Sequence, residues 1–252
     1  MIDGWPTALT VAGSDSWGGA GIQADLRAFA AFGVWGTAAV TAVTAQNHRG
    51  VLDAQVIDPG LVAAQIEAVA ESETLGAVKT GMLGHAGVIE AVVDVLERIR
   101  LGPIVVDPVQ AASQGGRLLD PAALPVLVDR LLPLCALVTP NLPEAEALLG
   151  RPIRDREDMP AAAEALAALG PAAVLLKGGH LAGPDSPDLL WRGGTAVWLE
   201  GARVPAAHSH GTGCTLSAAI AAGLARGDRL LDACRAAKDY VTVALEALVK
   251  PD

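Results

Sequence analysis

The chain has 252 residues, of which 52% are hydrophobic and 18% charged, and this composition excludes a disordered or fibrous protein. Its 18 basic and 28 acidic residues give a formal net charge of −10. Because affinity for a phosphate backbone comes from clustered lysine and arginine, this balance argues against nucleic acid as a partner.

Short apolar runs alternate with longer segments rich in alanine, leucine and glutamate. In chain order they predict a strand at 9–12, a helix at 21–32, a strand at 37–44, a helix at 59–71, a strand at 77–80, a helix at 87–99, a strand at 103–106, a helix at 121–132, a strand at 134–138, helices at 142–149 and 159–169, a strand at 173–176, a hairpin-like stretch at 180–204, and helices at 212–226 and 230–249. Strands separated by helix-length segments need crossover connections. We therefore expect an α/β fold with a mostly parallel central sheet and helices on both faces. The length suits one core, so we expect a single domain over residues 1–252.

The cysteines and the uncharged segments bear on the cellular compartment. Cys135, Cys214 and Cys234 are odd in number and lack CxxC spacing, which is typical of a reducing compartment. Asp3 stands where a secretory signal would carry basic residues. Residues 28–47 are uncharged over a membrane-spanning length, but their glycines, threonines and β-branched residues favour a helix end followed by a buried strand. We expect a cytoplasmic protein that does not bind membranes.

Polar residues or glycines directly follow six of the predicted strands. They are Gly13-Ser14-Asp15, Gln46-Asn47, Gly81-Met82, Asp107, Thr139-Pro140-Asn141 and Lys177-Gly178-Gly179. The carboxyl ends of parallel strands share one edge of the sheet, and open α/β folds bind their ligands there. The sequence therefore predicts a composite polar site at this edge.

The segment HGTGCTLS at residues 210–217 opens the penultimate predicted helix. Its two glycines let the backbone approach an anion, and the positive end of a helix favours a phosphoryl group. Cys214 falls in the first turn, where the helix dipole is expected to lower the thiol pKa. The same pattern also fits a glycine-rich turn without a ligand. His208 and His210 could share a metal only with a third ligand, and none is apparent.

Other nucleotide-binding patterns are absent or weak. The P-loop pattern GxxxxGK[ST] does not occur, so any use of ATP differs from that of a P-loop enzyme. Residues 19–24 satisfy GxGxxA, but Gln46 stands where a dinucleotide site needs an acid. Asn141 and Glu144 fit a helix capping box as well as a ligand site. Lys177, at a strand end, could reach a phosphate or be an ordinary surface lysine.

Eight short segments occur in order along residues 7–250. They are ALTVAGSD (8–15), GGAGIQAD (18–25), TAVTAQN (41–47), KTGML (79–83), VVDPV (105–109), TPNLPE (139–144), KGGH (177–180) and HGTGCTLS (210–217). Together they resemble the hydroxymethylpyrimidine/phosphomethylpyrimidine kinases of the ribokinase superfamily. Any one segment would be a weak signal, whereas eight in order are not expected by chance.

The resemblance implies an enzyme of thiamine biosynthesis that uses ATP and Mg²⁺. Members of the family phosphorylate the hydroxymethyl group of 4-amino-5-hydroxymethyl-2-methylpyrimidine and then add a second phosphate to the monophosphate. They are typically homodimers. The resemblance thus implies a ribokinase-like fold, a small pyrimidine and ATP as partners, and no nucleic acid or membrane.

The resemblance also implies a role for individual residues. The substrate pocket comprises Asp25 and Gln46, which hydrogen-bond the aminopyrimidine, with Gly13, Ala20, Thr44, Met82 and Val109 as its lining. Asn141 and Lys177 contribute to the ATP site, and Asp107 and Glu144 to the metal site, directly or through water. The catalytic group is Cys214, where most ribokinase relatives have an aspartate base, together with the anion hole of Gly211, Thr212 and Gly213.

Some segments depart from the pattern of the family. Residues 110–116 replace a stretch in which many relatives carry methionine and lysine, Ser16-Trp17 replaces the usual Pro-Ser, and His48 takes a common threonine position. These departures bear on the second phosphorylation and on the fit of the pocket. Two alternatives stay open. One is a pyridoxal kinase of the same superfamily, some members of which have a second lid cysteine that residues 110–116 lack. The other is a non-catalytic sensor of the pyrimidine phosphate.

Overall fold

The computed structural model describes residues 4–99, 101–112, 115–205 and 210–249, and a nine-stranded sheet lies at its centre. The strands are β1 (Thr7–Asp15), β2 (Trp35–Asn47), β3 (Gly50–Val56), β4 (Leu75–Thr80), β5 (Ile104–Val106), β6 (Leu137–Val138), β7 (Val174–Lys177), β8 (Asp188–Arg192) and β9 (Thr195–Leu199). Their order across the sheet is β3-β2-β1-β4-β5-β6-β7-β8-β9. From β2 to β7 the neighbours pair in parallel, whereas β3, β8 and β9 form antiparallel pairs at the two ends. The predicted mostly parallel α/β sheet is confirmed.

Helices cover both faces of this sheet. They are α1 (Gly21–Ala31), α2 (Pro59–Ser72), α3 (Ala86–Arg98), α4 (Leu124–Val126), α5 (Leu142–Leu149), α6 (Met159–Ala167), α7 (Thr212–Ala225) and α8 (Leu230–Glu246). One hydrophobic core contains α1, α7 and α8, and the other contains α2 to α6. Because side chains alternate along a strand, Val105 enters the first core and Val106 the second. The central strands are apolar on both faces for this reason.

The direction in which strands are added to the sheet reverses after β3. From β1 the chain adds β2 and β3 on one side, and it then returns to place β4 on the other side of β1. The helices that make these two crossings, α1 and α2, lie on opposite faces. In open α/β sheets a crevice forms at the carboxyl ends of the strands at such a reversal. The fold thus places a ligand crevice over β1 and β4.

Two segments differ from the sequence prediction. Strand β3 was not predicted, because this edge strand leaves most of its side chains exposed and so has no apolar run. The helix predicted at 121–132 is instead a series of short turns: Pro121–Ala123, α4, a π-helical turn at Leu127–Leu131 and a 3₁₀ turn at Leu132–Leu134. Pro125 and Pro133 lack the amide hydrogens that a continuous helix needs.

The uncharged run at 28–47 forms the end of α1 followed by β2, as expected. The strand is less buried than expected, because four of its thirteen residues are buried and three are exposed. Among the described residues, no helix has both the length and the apolar character needed to cross a bilayer.

Candidate active site

A cavity of about 620 Å³ opens at the carboxyl ends of the parallel strands. Residues from all six predicted strand ends line it: Gly13, Ser14, Asp15, Gln46, Met82, Asp107, Asn141, Lys177 and Gly179. Its volume is within the range of small-molecule sites. The sheet thus brings together residues that lie up to 166 positions apart in the sequence, between Gly13 and Gly179.

Nearly all of the sequence-predicted site residues line this cavity. Those of the expected substrate pocket are Gly13, Ala20, Thr44, Gln46, Met82 and Val109. The expected nucleotide, metal and catalytic residues in the lining are Asn141, Lys177, Asp107, Glu144, Gly211, Thr212, Gly213 and Cys214. The one residue that the structure does not place in the lining is Asp25.

The Asp25 carboxylate is directed into the protein interior. Its oxygens lie 3.0 and 2.8 Å from Lys79 Nζ, and the Thr10 hydroxyl donates to Asp25 Oδ2 over 2.6 Å. Both Asp25 and Lys79 are 0% exposed. Burial lowers the pKa of Lys79, but Asp25, Cys214 and Asp107 together outweigh this effect, so the net pKa is raised and the lysine is charged. The structure does not support the expected hydrogen bond from Asp25 to a pyrimidine ring. The Asp25 carboxylate does not line the cavity, and it already has Lys79 and Thr10 as partners.

The carboxylate that faces Gln46 belongs to Asp15. His210 Nε2 lies 3.0 Å from Asp15 Oδ2 and 3.0 Å from Gln46 Nε2, so its ring joins the two side chains. Burial raises the pKa of Asp15, but hydrogen bonds from His210, Ala20 and Trp17 outweigh it and the pKa is lowered. From the sequence, His210 was predicted only as part of the glycine segment and as a weak candidate for a metal ligand. The feature of the sequence that could have indicated a role for His210 in the site is its position directly before Gly211.

The glycine segment forms a tight turn into α7. Gly211 has φ +80°, and a Cβ on it would lie 1.9 Å from the carbonyl oxygen of Gly19. A Cβ on Gly213 would lie 3.2 Å from Lys177 Nζ, so the absence of a side chain leaves room for the ammonium. The first turn of α7 therefore lines a cavity that Lys177 also lines, and the first amides of a helix have no partner within the helix. This arrangement can bind a phosphoryl group.

Cys214 lies in the first turn of α7 and lines the cavity. Burial raises the pKa of its thiol to about 11, while Lys79 and a hydrogen bond from the Gly21 amide act in the opposite direction. The expected lowering of this pKa by the helix dipole is wrong, because desolvation in the narrow site outweighs it. Cys135 and Cys234 are buried in the two cores and do not line the cavity.

A cluster of three charged side chains lies beside the glycine turn at residues 211–214. Lys177 Nζ is 3.2 Å from Asp107 Oδ1 and 3.9 Å from Glu144 Oε2. Burial raises the pKa of Glu144 to about 7, and the Asp107 charge adds to this rise. Burial lowers the pKa of Lys177, but the two carboxylates outweigh it and raise the net value. Asn141 and Glu144 also form the reciprocal capping box at the start of α5, which confirms the helix-capping interpretation of that motif.

The two carboxylates of this cluster are a suitable partial site for a divalent cation. No group of three or more His, Cys, Asp or Glu residues placed to hold a metal occurs in the described part of the chain. Mg²⁺ commonly takes one or two protein carboxylates and completes its octahedron with water and phosphate oxygens. Asp107 and Glu144 fit that pattern, and a cation there would relieve the repulsion between them.

A loop follows β5 at the rim of the cavity. Gln110 Nε2 donates to the backbone oxygen of Glu144 over 3.3 Å, and Ala111 pairs with Arg117. Positions 113 and 114 of this loop and His208 lie outside the described residues. The structure therefore bears on only part of the lid and gives no test of the His208 and His210 pair.

Comparison with known proteins agrees with this geometry. The model of the family described as phosphomethylpyrimidine kinase matches residues 15–252. A hydroxymethylpyrimidine/phosphomethylpyrimidine kinase of Rhizobium meliloti is 49% identical over 241 residues, which cover 95% of this chain and 90% of that protein. The crystal structure of phosphomethylpyrimidine kinase from Clostridium difficile superposes with a TM-score of 0.84 at 40% identity and covers 94% of this chain and 98% of that one. Pyridoxal kinase of Staphylococcus aureus in complex with AMP-PCP superposes with a TM-score of 0.88 at 33% identity, with coverages of 96% and 88%.

Proposed function

The chain belongs to the phosphomethylpyrimidine kinase family, and we propose that it transfers phosphate from ATP to 4-amino-5-hydroxymethyl-2-methylpyrimidine and then to the resulting monophosphate. This reaction is a step of thiamine biosynthesis. The observation that carries the proposal is the shared cavity, in which Gln46, the anion-binding turn at Cys214 and the charged cluster around Lys177 face one another.

The substrate end of the cavity suits a small aminopyrimidine. The carboxamide of Gln46 donates and accepts hydrogen bonds, which matches a ring that bears an amino group beside a nitrogen. Met82 and Val109 supply apolar surface for the ring faces. A Cβ on Gly13 would lie only 3.0 Å from Met82 Sδ, so this glycine keeps the pocket open.

The opposite end suits the phosphates of ATP. Lys177, held by Asp107 and Glu144, places an ammonium next to Gly213, where the amides of the α7 turn also converge. Asp107 and Glu144 would hold Mg²⁺, which when bound neutralises charge on the phosphate oxygens. Phosphoryl transfer has a loose transition state with charge spread over the equatorial oxygens. Positioning and stabilising that charge matter more in such a reaction than a strong base.

The proposed base is Cys214. Cys214 first releases its thiol proton to solvent. In the transfer step, the hydroxymethyl O–H bond breaks and an S–H bond forms at the resulting Cys214 thiolate. The substrate oxygen bonds to the γ-phosphorus as the bond to the ADP oxygen breaks. With a thiol pKa of about 11 in the free site, ionisation at pH 7 costs about 5 kcal/mol, because each pKa unit corresponds to 1.36 kcal/mol. This cost adds to the reaction barrier, whereas the high pKa makes the thiolate, once formed, a strong proton acceptor.

The runner-up activity is phosphorylation of pyridoxal. It is favoured by the superposition on the Staphylococcus aureus pyridoxal kinase, at 33% identity. The curated pyrimidine kinase of Rhizobium meliloti is closer in sequence, at 49% identity. Residues 110–116 contain no cysteine, unlike the lid of some pyridoxal kinases. The pyrimidine alcohol is therefore the preferred substrate in this proposal.

The direct experiment is incubation of the protein with ATP, Mg²⁺ and the pyrimidine alcohol, with the mono- and diphosphate resolved over time. The proposal expects the monophosphate first and the diphosphate after it. Parallel reactions with pyridoxal measure the alternative, and a higher kcat/KM for pyridoxal would overturn the substrate assignment. Binding of the pyrimidine without any ADP formation would instead identify a sensor.

The resemblance also supports a cytoplasmic homodimer. Sedimentation at micromolar concentration tests the oligomeric state, and a species of monomer mass would contradict it. Fractionation of cells that produce the protein tests its compartment.

A further inference from the structure

The buried ion pair of Lys79 and Asp25 has no part in the steps described above. Lys79 Nζ lies 3.0 and 2.8 Å from the two carboxylate oxygens, and neither side chain is exposed. Taking both charges out of water is costly, and apolar residues of similar volume are often as stable in such positions. Packing alone therefore does not account for the pair.

The ion pair is close to the thiol of Cys214. The amide of Gly21, the first residue of α1, donates to that thiol. Asp25 follows Gly21 by one helical turn and so lies on the same face of α1. Lys79 is near the end of β4, against which α7 packs, and Lys79 and Cys214 are both among the residues that line the cavity. Gly21 thus connects the thiol to α1, the helix that carries Asp25, and Asp25 in turn contacts Lys79.

The charges around the thiol act in opposite directions. Burial raises the thiol pKa most, and the Asp107 and Asp25 carboxylates add to the rise. Lys79 is the strongest influence in the lowering direction. Lys177, at the end of β7, also interacts with the thiol from the nucleotide side. Of these groups, Lys79 is the cation fixed by a buried partner that does not contact the charged cluster.

We propose that Lys79 is a positioning residue which stabilises negative charge on Cys214 Sγ, and that Asp25 fixes its ammonium in place. No bond forms or breaks at Lys79, which stays protonated throughout. The catalytic importance of this arrangement rests on the proposed role of Cys214 as the base. The electrostatic effect itself is independent of turnover and can be measured on the protein without substrates.

The test measures the rate at which iodoacetamide alkylates Cys214 between pH 7.5 and 9.5, followed by peptide mass spectrometry. Below the thiol pKa this rate is proportional to the thiolate fraction. The variants are Lys79→Gln and Asp25→Asn, which remove one charge each, and the double variant. Lys238→Gln is the matched control, since Lys238 also lines the cavity and pairs with a largely buried carboxylate, Asp188, over 2.7 Å. Labelling of buried Cys135 reports any loss of folding.

The two single variants are expected to change the rate in opposite directions. Lys79→Gln should slow alkylation about threefold or more, and Asp25→Asn should accelerate it by a similar factor, because a half-unit pKa change alters the thiolate fraction about threefold. A purely structural pair would give the same direction in both variants, and that result overturns the proposal. Lys238→Gln should leave the rate unchanged.

The double variant keeps the test decisive if a single variant does not fold. Since Lys79 influences the thiol more than Asp25 does, loss of both charges should slow alkylation. An unchanged or faster rate in the folded double variant contradicts the proposal.

In turnover assays, Lys79→Gln should lower kcat with little change in KM for the pyrimidine. If alkylation shifts as expected but no variant or native protein transfers phosphate, the electrostatic inference stands and the kinase assignment fails.

Discussion

Replacing Lys79 by methionine should destabilise the protein strongly, because it leaves the Asp25 carboxylate buried without its cation. Both side chains are 0% exposed, and the substitution removes contacts of 3.0 and 2.8 Å. The Thr10 hydroxyl, 2.6 Å away, then remains as a hydrogen-bond donor to the carboxylate. Breaking a buried pair in this way typically costs about 3–5 kcal/mol. Since small proteins have a total stability of about 5–15 kcal/mol, the loss is a large part of the whole.

The pH dependence of this loss identifies its cause. A lone buried carboxylate has a folded-state pKa above its unfolded value, so the folded state retains a proton that the unfolded state releases. The stability of Lys79→Met should therefore fall further than that of the native protein as the pH rises from 5 to 8. Urea unfolding at pH 5 and pH 8 measures the free energy of unfolding of both proteins. The double variant Lys79→Met/Asp25→Leu should recover most of the stability.

The matched control is Arg98→Met, because the pair of Arg98 with Glu67 is exposed on the surface. That substitution should cost less than about 1 kcal/mol. The account of the buried pair would be refuted if Lys79→Met lost no more stability than Arg98→Met. It would also be refuted if the double variant Lys79→Met/Asp25→Leu did not recover stability.

Three further predictions concern the cavity. Cys214→Ala should lower kcat about a hundredfold with little change in pyrimidine Kd, because general-base groups typically contribute that much or more; steady-state kinetics and calorimetry separate the two. Gln46→Ala should weaken pyrimidine binding about tenfold and leave ATP binding unchanged. Calorimetry with each ligand measures both affinities, and weakened ATP binding alone would show that the two ligands are placed the wrong way round. The raised pKa of Glu144, about 7 against an ordinary 4.5, means that the folded state keeps a proton the unfolded state loses. Urea unfolding should therefore show native stability falling by up to about 3 kcal/mol between pH 5 and 8 relative to Glu144→Gln, and parallel curves would contradict this.

The sequence was sufficient to predict a mostly parallel sheet with helices on both faces and the edge at which polar residues converge. Alternation of apolar runs and helical segments determines a parallel sheet, and the polar residues after each strand must then converge. The edge strand β3 and the broken stretch at residues 121–134 were not predicted, because exposed strands lack an apolar pattern and two prolines interrupt a helical one.

The partners of individual charged groups could not be predicted in the same way. Asp25 and Asp15 each belong to a segment that matches the family, and only the three-dimensional structure shows that Lys79 satisfies the first and His210 the second. The predicted direction of the Cys214 pKa shift was wrong for a related reason. Its position in the helix is visible in the sequence, whereas the desolvation that raises the value to about 11 depends on the surrounding walls.

The central claim is that the anion-binding turn at Cys214 lies between a pyrimidine pocket at Gln46 and a nucleotide site at Lys177. A single-turnover reaction with ATP labelled in its γ-phosphate and the pyrimidine alcohol tests it most directly. The account predicts that the label appears on the pyrimidine monophosphate, at a rate that falls sharply in Cys214→Ala while both ligands still bind. Label released only as free phosphate, or transferred equally fast by Cys214→Ala, would contradict it.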